Sequence, residues 1–159
     1  NKLLIEIAHY IQTASLINGK VIVIGNGGSS AIASHVSIDL TKAANIRAVN
    51  FNEASLLTCF SNDYGYENVF AREIQAIATS NDVLIGITTS GKSVNILRGI
   101  SEAKKQGIYT VVLTGSSRGE LPEDVYTIGV PSTDTARIQE SHIMIGHIIC
   151  RLVEADIFG

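Results

Sequence analysis

Four hydroxyls and one glycine crowd into Thr88-Thr89-Ser90-Gly91-Lys92-Ser93, directly after the apolar run 83–87. Ordinary N-capping of a helix accounts for one Ser or Thr, not four. Hydroxyls and amides gathered at a helix start form a grip for an anion such as a phosphate. A second polar turn, Gly25-Asn26-Gly27-Gly28-Ser29, follows the apolar run 21–24. Its glycines permit a tight turn and a close approach of ligand to backbone. The sequence has neither the usual G-x-G-x-x-G spacing nor the Gly-Lys-Ser/Thr of a nucleotide loop.

Two further groups bear protons. His35 and Asp39 stand four residues apart, which places them on one face of a helix. Near the end of the chain, Arg137, Gln139, His142 and His147 interrupt otherwise apolar turns. A lone histidine on an apolar helix is more often a core residue than a ligand; two histidines with a glutamine leave both readings open. Interconverting an aldose and a ketose needs a base for one carbon and an acid for the neighbouring oxygen. Histidine, with a reference pKa of about 6.5, suits that work.

The elements that must position these groups follow from the hydrophobic pattern. Apolar runs of four to six residues alternate with helical periodicity. The pattern predicts strands at 21–24, 47–51, 83–87, 109–113 and 125–130. Helices are predicted at about 29–44, 53–60, 66–78, 93–106 and 135–155. This alternation argues an α/β, doubly wound, mainly parallel five-stranded sheet, which binds ligands beyond the carboxyl ends of its strands.

The 159 residues fit one domain, 1–159, and 45% apolar with 17% charged residues is a globular balance. The chain opens inside an apolar-periodic segment at 3–8, so the first helix is expected to be cut short at its start. The net charge is −3 with no run of Lys or Arg, which argues against direct nucleic-acid binding. Cys59 and Cys150 lack metal-type spacing and sit in apolar contexts, so both are expected as buried small hydrophobes. No apolar run reaches the ~20 residues of a membrane span, and no signal peptide is visible. A cytoplasmic protein is expected.

The glycine loop, followed some sixty residues later by the hydroxyl cluster, resembles the SIS (sugar isomerase) domain family, which has flavodoxin-like topology. That likeness implies strand order 2-1-3-4-5. Ser61-Asn62-Asp63-Tyr64-Gly65-Tyr66, Arg137-Ile138-Gln139-Glu140-Ser141-His142 and His147 narrow it to the phosphoheptose isomerases of that family. The resemblance covers essentially the whole chain. It implies conversion of sedoheptulose 7-phosphate to a D-glycero-D-manno-heptose 7-phosphate for bacterial surface polysaccharide. It assigns Ser29, Thr88, Thr89, Ser90 and Ser93 to the sugar phosphate, with Asn26, Gly27, Gly28, Asn62, Asp63 and Gln139 completing the substrate site. It further implies zinc held by His35, Asp39, Gln139 and His147, a catalytic pair Asp39 and His147, and a homotetramer with shared active sites. The competing expectation is a non-catalytic SIS tetramer, either a scaffold for a replication initiator or a sugar-phosphate sensor.

Three departures carry expectations of their own. Asp39 stands where the family usually has glutamate, and one methylene less is expected to weaken the metal and catalytic roles. Ala136 stands where the family often has aspartate, with Asp134 two residues earlier. Gln139 and His147 are eight residues apart, a rise of ~12 Å on a straight helix. Either the helix starts after Gln139, or one ligand comes from a neighbouring subunit; the second is expected.

Overall fold

The computed structural model describes residues 2–158; Asn1 and Gly159, the end residues of the expected domain, lie outside the described residues. The elements follow in the order α1 (Lys2–Leu16), β1 (Val21–Gly25), α2 (Gly28–Lys42), β2 (Ala48–Asn50) and α3 (Ala54–Tyr64). A 3-10 turn at Tyr66–Asn68 leads into α4 (Val69–Ile77), β3 (Val83–Ile87), α5 (Val94–Lys105), β4 (Tyr109–Thr114), β5 (Tyr126–Gly129) and α6 (Thr135–Phe158). The five strands form one sheet in the order β2-β1-β3-β4-β5, and every pairing is parallel. Both the doubly wound sheet and its strand order match the expectation from the sequence.

The strands are apolar on both sides because both faces of the sheet are covered. Side chains alternate along a strand, so Val21 and Val23 join one core while Ile22 and Ile24 join the other. β3 divides likewise, Val83, Ile85 and Ile87 against Leu84. The first core is closed by α1, α2 and α6, the second chiefly by α4 and α5. Each fully buried Ile or Val contributes ~1.5–3 kcal/mol, so this two-sided core makes the sheet a rigid platform.

Strand register decides which loops become neighbours. Gly25 of β1 pairs with Ile87 of β3, so the two strands end side by side. The glycine loop and the hydroxyl cluster therefore leave the sheet together, at the point where the strand order reverses.

Candidate functional site

The hydroxyl loop is a turn held by its own side chains. Thr88 is buried and its Oγ1 accepts from the Gly91 amide at 3.2 Å, while Ser90 Oγ accepts from the Lys92 amide at 3.2 Å. Gly91 has φ of +66°, which favours glycine at this position. Ser93 occupies the N-cap of α5, yet its side chain makes no capping bond. Thr89 makes no side-chain hydrogen bond among the described residues, and both hydroxyls remain free for a ligand.

Beside this loop lies an open pocket of about 290 Å³. Thr89, Ser90 and Lys92 line one side, and Ser116, Ser117, Ser132 and Thr133 the other. Among the described residues no carboxylate lines it. Ser90, Ser117 and Ser132 each accept a backbone N–H through Oγ, from Lys92, Gly119 and Asp134. Their O–H protons are thus left available to donate, which suits the pocket to an anion. The serines and threonine after β4 and β5 were missed in the sequence. The available signal was their place immediately beyond the carboxyl ends of parallel strands.

The glycine loop differs from the expectation in detail. Gly27 adopts φ of +54°, and Ser29 turns inward, only 4% exposed. The Asn26 carboxamide is engaged by protein groups. It exchanges two 2.8 Å hydrogen bonds with Asn95 and accepts a third, also 2.8 Å, from the Tyr66 hydroxyl. A Cβ at Gly28 would lie 2.6 Å from Nε2 of Gln139, so the missing side chain makes room for that amide.

α2 and α6 run alongside each other, and Gly146 lets them close up: a Cβ there would stand 2.5 Å from Cγ2 of Val36. This approach brings His35, Asp39 and His147 together. The two histidine Nε2 atoms are 3.1 Å apart, and Oδ2 of Asp39 lies 3.2 Å from His35 Nε2 and 3.4 Å from His147 Nε2. Two imidazole nitrogens at that separation need a proton or a cation between them. A tetrahedral ion with bonds of about 2.0–2.1 Å separates its ligand atoms by about 3.3–3.4 Å. The triangle therefore fits one face of such a site, and the shorter Asp39 reaches it. Asp39 and His147 open onto a recess of about 430 Å³ lined also by Ala43, Cys150, Arg151 and Glu154.

Gln139 is not part of the triangle within one chain. α6 begins at Thr135, which removes the alternative of a helix starting after Gln139. Its amide sits over Gly28, seven residues and about 10 Å of helix before His35. Asn62 and Asp63 lie in the exposed last turn of α3, bonded to each other at 2.9 Å, with Asp63 also accepting from Cys59 Sγ at 3.7 Å. Asp134 caps α6 by accepting from the Ala136 amide.

His142 belongs to the core. It is fully buried, and Nε2 lies 3.0 Å from the Thr114 carbonyl oxygen, to which it donates. Burial lowers its pKa, only partly offset by that bond, and Nδ1 has no partner among the described residues. Cys150 is buried as expected, its thiol pushed up to about 12 by burial first and then by the charge of Asp39. Cys59 corrects the expectation, because it is exposed. α3 lies shallowly on the surface and buries no residue fully, so its apolar neighbours do not enclose the thiol.

The chain is similar to known proteins along most of its length. A family model described as the SIS domain matches residues 2–115. A phosphoheptose isomerase of Leptospira biflexa is 49% identical over 146 residues, 85% of this chain and 74% of the relative. A phosphoheptose isomerase of Sulfurimonas denitrificans is 45% identical over 148 residues, 88% and 75% of the two chains. Among solved structures, a phosphoheptose isomerase from Neisseria gonorrhoeae superposes with a TM-score of 0.89 at 33% identity, over 96% of this chain and 85% of that one. One from Francisella tularensis gives 0.86 at 32% identity, with the same shares covered.

Proposed function

This chain belongs to the SIS domain family, and from that membership we propose that it is a ketose–aldose isomerase acting on sedoheptulose 7-phosphate. The observation that carries this reading is the triangle of His35, Asp39 and His147 on α2 and α6. A phosphate grip alone would serve a sensor or a scaffold. Two imidazoles and a carboxylate brought within 3.4 Å of one another are the equipment of proton transfer.

In this reading Thr89, Ser90 and Ser93 hold the phosphate, helped by Lys92 and the serines after β4 and β5. Holding that remote group positions the reacting carbons, so binding energy is spent on orientation. His147 takes a proton from one carbon and returns it to its neighbour, giving an enediol between the two states. Asp39 serves the oxygens. Gly27, Gly28 and the Gln139 amide above them form the wall facing the sugar.

The same three side chains fit zinc, and Gln139 would become the fourth ligand of a neighbouring copy only by leaving its place over Gly28. Bound there, the ion would polarise the substrate carbonyl. An imidazole nitrogen given to an ion does not carry protons, so the two roles of His147 Nε2 exclude each other at any instant. A homotetramer agrees with the apolar side chains around the triangle, where Ile38 is 60% and Met144 56% exposed. Among the described residues no helix is long and apolar enough to cross a membrane. We read residues 1–159 as one SIS domain of a cytoplasmic enzyme for heptose-containing surface polysaccharide.

The test is incubation with sedoheptulose 7-phosphate, metal-stripped and with zinc restored, followed by product analysis. Conversion to a heptose 7-phosphate is expected, and its dependence on zinc decides whether the triangle holds the ion or His147 Nε2 moves the proton. No conversion under either condition overturns the isomerase reading.

A further inference from the structure

The β1–β3 ladder ends at Gly25 and Ile87, but a pair of side chains continues it. Asn95, in the first turn of α5, is 3% exposed. Its carboxamide faces that of Asn26, each Nδ2 donating to the other's Oδ1 at 2.8 Å. The Asn95 oxygen also accepts from the Ile96 amide at 3.0 Å, and the Asn26 oxygen from the Tyr66 hydroxyl at 2.8 Å. Those two outside donors require an oxygen where they point, so neither amide can flip without breaking the arrangement. A buried carboxamide costs stability unless its groups are paired, and here they are.

The bracket links three segments that carry the site. Asn26 begins the glycine loop leading into α2, which bears His35 and Asp39. Asn95 stands two residues after Ser93, the last residue of the phosphate grip. Tyr66, exposed, belongs to the turn after Asp63, and Arg98 of α5 holds that turn again through Asn68 Oδ1 at 2.6 Å. The bracket thus lies between the groups that hold the phosphate and the helix that carries the proton-transfer groups.

We propose that Asn95 is a positioning residue for the isomerisation: through Asn26 it sets the spacing between the phosphate grip and α2, with Tyr66 as the latch on the same amide. The inference rests on the isomerase reading. A shift of 1 Å in such spacing costs about 100-fold in rate even when the shifted residue is far from the chemistry. Inorganic phosphate touches only the grip, so its binding does not sense the spacing. A bracket that merely staples the fold would instead weaken phosphate binding and turnover together.

The experiment measures kcat and KM for sedoheptulose 7-phosphate, and inorganic phosphate binding by calorimetry, for the full chain and for Asn95→Ala, Asn95→Asp and Tyr66→Phe. Asn95→Asp keeps the shape but sets one oxygen against that of Asn26. Both Asn95 variants should lose kcat about 30-fold or more while phosphate affinity stays within about twofold. Tyr66→Phe, which removes one hydroxyl from an exposed residue and carries the test if the Asn95 variants do not fold, should lose about threefold in kcat with unchanged phosphate affinity. Unchanged kcat overturns the proposal, and so does a matched loss of kcat and phosphate affinity. Absence of turnover in the unaltered chain overturns the isomerase reading and this inference together, whereas turnover there with unaffected variants overturns this inference alone.

Discussion

The phosphate grip and the His35–Asp39–His147 triangle are built in opposite ways. The heart of the grip is one continuous hexapeptide, its turn closed by Thr88 and Ser90 accepting amides two or three residues away, with the serines after β4 and β5 facing it across the pocket. The triangle joins residues 112 positions apart in sequence, and it exists because α2 and α6 press together at Val36 and Gly146. A local turn keeps its shape when distant packing changes. A tertiary contact between helices does not. Binding and chemistry in this protein should therefore be separable by mutation, with binding the more robust of the two.

The largest effect tests that separation directly. Replacing His147 with Ala removes one corner of the triangle from an exposed position, so the fold is expected to survive. Turnover of sedoheptulose 7-phosphate should fall by about 10²–10⁴-fold, the usual worth of a positioned acid or base. Calorimetric affinity for inorganic phosphate should not change. Retained turnover would show that the triangle is not the reacting centre, and lost phosphate binding would show that the two regions are not independent.

A smaller but more pointed effect is expected from Gly146→Ala, which touches no substrate. The added methyl would sit 2.5 Å from Val36 Cγ2, so α2 and α6 must part slightly. Overpacking of this kind costs ~1–3 kcal/mol of stability. The parting also moves His147 away from His35 and Asp39, and kcat should drop about tenfold beyond any loss of folded protein, since small misplacements carry large rate penalties. Thermal melts beside kinetics on the folded fraction decide the matter: a stability loss with unchanged kcat would mean that the helix contact does not tune the triangle.

The same contrast explains what could be read from the sequence. β3 is legible to the residue, because five consecutive apolar positions admit no alternative in a sheet covered on both faces. The hydroxyl loop is legible because its residues are contiguous and their number exceeds what capping requires. His35 and Asp39 follow from helical spacing. That His147 would join them within one chain, and that Asp39 would reach despite its length, depend on how closely two helices approach. A glycine inside an apolar helix hints at such an approach without naming its partner. Asn95 was hidden for a related reason. An asparagine in a helix's first turn reads as an ordinary polar residue until Asn26 is seen opposite. Cys59 misled because apolar neighbours in sequence do not ensure burial when the whole helix lies shallowly.

The smallest effect on turnover comes from a group remote from both regions, and it serves to calibrate their pH dependence. Glu73 of α4 is 4% exposed, its Oε1 has no partner among the described residues, and burial pushes its pKa up to about 8. It lines a recess of about 260 Å³ with Phe51, Leu56 and Phe60. At the rim, Glu53 is held below its usual carboxylate range by the backbone amides of Leu56 and Ser55. Below the ordinary value of 4.5, Glu73 is protonated in both folded and unfolded chains and contributes nothing to pH dependence. Between 4.5 and about 8 the unfolded chain ionises while the folded one resists, so stability falls as pH rises. The loss is complete above about 8 and is on the order of 5 kcal/mol. Melting temperatures of the unaltered protein should therefore decline from pH 5 to pH 8, and Glu73→Gln should flatten that decline while leaving kcat at a fixed temperature unchanged. An equal decline in the variant would place the titrating group elsewhere. A flattened decline would mean that changes of turnover with pH, measured in that variant, report the triangle rather than the fold.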